Sequence, residues 1–106
     1  MTGHPVTFQL SATAYEAIMH EAVSRGDNST LSLESREALS TAAALSDGVW
    51  VVDCTDEVSR DIEDWFAMAA IVESATPKGA AGRSGMLNSA VRAIQDGRAK
   101  IRHEEK

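Results

Sequence analysis

The segment Val49-Trp50-Val51-Val52-Asp53-Cys54, set between Asp47-Gly48 and Thr55, narrows the choice of fold more than any other stretch of the chain. β-Branched and aromatic residues fill both alternate positions for four residues, the pattern of a central strand covered on two faces. Such a strand needs a sheet beside it and helices over it. A partner strand is offered by Val6-Thr7-Phe8-Gln9-Leu10, where a two-residue period puts Val6, Phe8 and Leu10 on one face.

Helical patterns fill the rest. Ser11 stands as an N-cap, Thr13 with Glu16 has capping-box spacing, and Tyr15, Ile18, Met19, Ala22 and Val23 recur on one face until Gly26 stops the helix. Ser32 precedes helix formers from Leu33 to Leu45, with Ala38, Leu39, Ala42 and Leu45 as the apolar stripe. Thr55 caps a third helix, about Asp56 to Ala75, which turns Val58, Ile62, Trp65, Ala69 and Val72 to one side. A fourth runs from Met86 to Asp96 and is expected to end at Gly97.

The order β-α-α-β-α-α predicts an α+β fold: one compact domain over residues 1–106, with a small two-to-three-stranded sheet covered by about four helices. A flexible glycine-rich connector is expected at 77–85 and a frayed basic tail at 98–106. Two strands alone make a marginal sheet, so a third segment or a second copy of the chain is expected to extend it.

Charge is distributed unevenly. The net charge is −6, yet residues 1–77 carry thirteen acidic and three basic side chains, while 78–106 carry three acidic and seven basic. Acidity is densest where Asp53, Asp56, Glu57, Asp61, Glu63 and Asp64 face only Arg60. A field of that sign repels phosphates and attracts basic surfaces, which makes these six residues the candidate partner-binding set, the partner being a larger protein with a basic surface. Nucleic acid and membrane are not expected partners. The ordinary alternative is a solvated helix face, with Arg92, Arg98, Lys100, Arg102 and Lys106 neutralising it.

Trp65 to Val72 is apolar all round, so the fold or a second subunit must enclose it. Trp65, Phe66 and Met68 are the candidate self-association residues of a homodimer.

Catalytic signatures are weak. Cys54 lies between a strand and a helix N-terminus, a place where a thiol is sometimes activated, but Asp53, Asp56 and Glu57 beside it oppose a thiolate. His4, His20 and His103 are scattered and lack metal-ligand spacing. The expectation is therefore a protein that is not an enzyme and uses no cofactor or metal. A single cysteine and an N-terminus without a basic, apolar leader point to the cytoplasm.

Val6-Thr7-Phe8-Gln9-Leu10-Ser11, the following helix with Tyr15 and Ile18, and then Gly26 and Ser29 together resemble the start of a ribbon-helix-helix repressor. The resemblance covers about thirty residues of a pattern shared by many strand-turn-helix units. It implies a DNA-binding function, with Thr7 and Gln9 as base readers on a strand paired across a dimer. The chain departs from that pattern in its acidic N-terminal region, its strand without basic residues and its second apolar strand. Composition and charge instead favour a small acidic protein-binding regulator, an adaptor or an inhibitor of the phage- or plasmid-borne kind that imitates phosphate charge.

Overall fold

The structure, a computed structural model, describes residues 5–28, 31–45, 48–75 and 81–104. Strand β1 (Pro5–Ser11) leads into helix α1 (Ala12–Glu21) and a 3-10 segment, Val23–Asn28. Helix α2 (Leu33–Ser40), the two-residue strand β2 (Ala43–Ala44) and strand β3 (Val49–Thr55) follow, then helices α3 (Asp56–Ala75) and α4 (Ala81–Glu104). The chain is thus an α+β domain with a three-stranded antiparallel sheet of order β1-β3-β2, as its strand and helix patterns predict.

Both strand assignments hold, with β3 in the centre. Antiparallel register sets Val6 opposite Cys54, Phe8 opposite Val52 and Leu10 opposite Trp50, so the apolar alternates of β1 share a face with those of β3. On that face Val6, Phe8, Leu10 and Val52 join Tyr15 and Ile18 of α1, Leu39 of α2, Ile62 and Phe66 of α3, and Leu87 and Ile94 of α4 in one core. Each such aliphatic or aromatic side chain contributes roughly 2 kcal/mol by leaving water.

Cover on two faces is corrected to cover on one. Thr7, Gln9, Asp53 and Thr55 are exposed on the other face, and Val49 and Val51 are half-buried there. Ala43 of β2 lies opposite Val51 and shades it, which accounts for an apolar residue on an open face.

The caps fall where the hydroxyls stand. Ser11 Oγ accepts from Ala14 N–H, Ser32 Oγ from Ser35 N–H and Thr55 Oγ1 from Val58 N–H. Thr13 and Glu16 lie inside α1 instead of boxing its start. The helix expected to reach Leu45 ends at Ser40, because pairing with β3 takes Ala43 and Ala44 and binds Leu45 N–H to Val49 O at 2.7 Å. Gly48 makes the turn into β3 at φ +74, a conformation that costs glycine little.

Tyr15 ties three elements together. Its ring stacks on Trp50 with centroids 4.0 Å apart, and its hydroxyl donates to Leu39 O at 2.7 Å. Burial raises its pKa above the ordinary 10.0.

Gly97 does not end a helix. It is buried in the middle of α4, where a Cβ would meet Thr7 O at 2.6 Å and Phe8 Cβ at 2.9 Å. The missing side chain lets α4 lie directly on β1, so glycine here serves close approach. The frayed tail is corrected accordingly: α4 runs on to Glu104, with residues 105–106 and the side chains of 100–104 outside the described part. Of the expected connector, 81–85 is helical and 77–80 lies outside the described residues.

Candidate functional site

Helix α3 sorts its carboxylates by the helical period. Asp56 and Glu63, seven residues apart, fall on the side turned to α4; Glu57, Asp61 and Asp64 fall on another; Val58, Ile62 and Phe66 point into the core. The six acidic residues singled out by charge density therefore do not make one face.

The chain itself engages four of them. Arg98 of α4 pairs with Glu63, its Nε lies 4.0 Å from Asp56, and its other branch donates to the buried Ser59 hydroxyl at 3.3 Å. Gln95 adds a bond to Glu63 at 2.9 Å. Asp56 also binds Arg60 at 2.9 Å; this hydrogen bond, then the charges of Asp56, Glu63 and Asp64, raise the Arg60 pKa above its usual value. Asp53, on the open face of β3, accepts the Thr7 hydroxyl at 2.7 Å.

Asp61 has a different task. It accepts Ser32 N–H at 3.0 Å and the Ser35 hydroxyl at 2.6 Å, placing a carboxylate at the N-terminus of α2 where free N–H groups and the helix dipole favour it. Glu57 and Asp64 are exposed and make no ion pair among the described residues.

The expected self-association band is also divided. Phe66 is completely buried, with Trp65 packed edge-on against it at 5.2 Å. It belongs to the core and is corrected out of any subunit seam. Met68, Ile71 and Val72 are 61%, 62% and 60% exposed on the opposite side of the helix.

Beside them lies a cleft of about 430 Å³ between α3, from Asp61 to Glu73, and the end of α1 with the 3-10 segment that follows it. Trp65, Met68, Ala69 and Val72 form its apolar wall. Glu21, Asp61, Asp64 and Glu73 supply four carboxylates to its lining, and Arg25 the one guanidinium. Four residues from the two separate sequence sets, Asp61, Asp64, Trp65 and Met68, thus meet in one place. Chemically the cleft suits an apolar side chain flanked by cations.

Glu21, Arg25, Ala69, Val72 and Glu73 are cleft residues that charge density did not single out. Val72 lies in the apolar run of α3 and Arg25 in the 3-10 segment after α1, and only the fold sets that segment across the cleft from α3.

Cys54 is half-buried at the end of β3, and its pKa is pushed up to about 12 by burial and by Asp53 and Asp56, against a smaller opposing pull from Arg98. The thiol stays protonated at neutral pH, a poor nucleophile. Thr7 and Gln9, the readers implied by the repressor resemblance, stand on the open face beside Asp53, and their strand is already paired to β3. A phosphate backbone brought there meets a carboxylate.

No protein-family model, curated protein or solved structure matches the chain. Among the described residues no helix is long and apolar enough to cross a membrane.

Proposed function

We propose that this protein is a small non-enzymatic regulator or inhibitor that docks on a basic surface of a larger protein through the outer side of α3. One observation carries this reading: Asp61, Asp64, Trp65 and Met68 share a cleft in which carboxylates flank the half-buried Trp65 and the exposed Met68. Apolar contact supplies affinity in such an arrangement, and the charges supply orientation and choice of partner. A surface that only imitates phosphate needs no tryptophan and methionine at its centre, so we favour protein docking over occupation of a nucleic-acid channel.

The test reverses charges that make no ion pair among the described residues. Glu57→Lys with Asp64→Lys leaves the Arg98 pairs and the Asp61 cap intact; a cation at Glu57, in the first turn of α3, costs up to about 1 kcal/mol, and thermal unfolding of the variant checks that it stays folded. Recovery of the partner on the immobilised chain should fall at least about tenfold, as expected for like charges brought together at an interface. Undiminished recovery with the reversed chain would contradict docking through this side.

A further inference from the structure

We infer that the cleft between α1 and α3 takes a basic amphipathic helix, seated with its apolar stripe on Trp65, Met68 and Val72 and its lysines or arginines toward Asp64 and Glu21; this rests on the docking reading above and specifies its occupant. The apolar wall is helical, with Trp65, Met68, Ala69 and Val72 at i, i+3, i+4 and i+7 forming the ridge that a second helix packs against. A strand has no means of adding here, because the backbone of α3 is satisfied within the helix and offers no free edge. From Asp61 to Glu73 the helix advances roughly 18 Å, about three turns, which sets the length of the occupant.

Charge decides what kind of helix fits. Asp61 is committed to the N-terminus of α2, yet Glu21, Asp64 and Glu73 against Arg25 keep the lining net negative, so an acidic or neutral helix gains little and a second α3 would bring two acidic rows together. Cationic flanks meet opposite charge on both walls, since Glu21 stands on α1 and Asp64 on α3. Met68 adds an adaptable, polarisable contact that tolerates different apolar anchors.

The probe is a synthetic peptide of about 15 residues made of Leu and Lys, with leucines at helical spacing. Two controls accompany it, one with the leucines scrambled and one with Ser in place of Leu. Binding is followed by the fluorescence of Trp65, with Trp65→Phe as the reference for the signal of Trp50. The patterned peptide should bind with a Kd of about 10 μM and weaken severalfold in about 0.5 M salt. Both controls should bind at least about tenfold more weakly, and Met68→Glu, an exposed substitution that leaves the core alone, should reduce patterned-peptide affinity by a similar factor.

Equal binding of the leucine-free peptide would overturn the helix-in-cleft inference while leaving charge-led docking standing. Failure of every basic peptide, alongside partner recovery that still depends on Glu57 and Asp64, would do the same. A dimer in sedimentation that buries Trp65 and excludes the peptide would also overturn it, assigning the cleft to a second copy.

Discussion

Two glycines in α4 look alike in the sequence and do opposite things. Gly97 is pressed on the backbone of Thr7 and Phe8, whereas a Cβ at Gly85 meets nothing within 4 Å. Gly97→Ala should destabilise the domain by about 2 kcal/mol through forced separation of α4 from β1. Gly85→Ala should instead stabilise it by up to about 1 kcal/mol, the helix-propensity difference. Denaturant unfolding of both variants checks the pair. Cys54 gives a prediction in pH. Its folded pKa of about 12 lies above the ordinary 9.0, so the folded chain keeps a proton that the unfolded chain releases. Stability from this group is full below about pH 9 and declines as pH rises toward about 12. Thermal unfolding between about pH 8 and about pH 11 should show that decline, with a shallower slope in Cys54→Ala. Buried Tyr15, its pKa raised in the same direction, adds to the fall in both proteins.

At the scale of elements, α3 is the organiser: one side fills the core, one is bolted to α4 by Arg98, and one lines the cleft. Arg98 and Glu63 are each only 16% exposed, and the Ser59 hydroxyl beneath them is fully buried. Arg98→Met should therefore cost about 2 kcal/mol, since it keeps much of the packing but strands Glu63 without its cation. Addition of Glu63→Gln should recover part of that loss in a double-mutant cycle. The N-cap hydroxyls, the buried alternates of β1 and the amphipathic patterns of α1 and the first half of α3 were legible because each depends on neighbours within a few residues; the open face of β3 and the 60% exposure of Val72 were not. Strand β2 was not, since Ala43-Ala44 carries no strand preference and pairs only because β3 is there. The same holds for Gly97, whose meaning comes from β1, ninety residues earlier in the chain.

For the whole molecule, Arg98 of the basic C-terminal segment pairs with Asp56 and Glu63 of the acidic segment, so charge density along the sequence is not the charge left on the surface. Four of the six singled-out carboxylates are spent on Arg60, Arg98, Thr7 or the N-terminus of α2. What remains outward gains its significance from Trp65, Met68 and Val72, which the helical period of α3 sets beside it, and from Glu21 and Arg25, which only the fold brings opposite. The account stands on that cleft being the docking surface. Nuclear magnetic resonance titration of the patterned Leu/Lys peptide into the labelled chain tests it most directly. Shifts concentrated on the C-terminal end of α1 and on α3 from Asp61 to Glu73, with the Met68 methyl moving most, are the predicted result; shifts concentrated on the open face of the sheet, or spread evenly over every acidic residue, would contradict it.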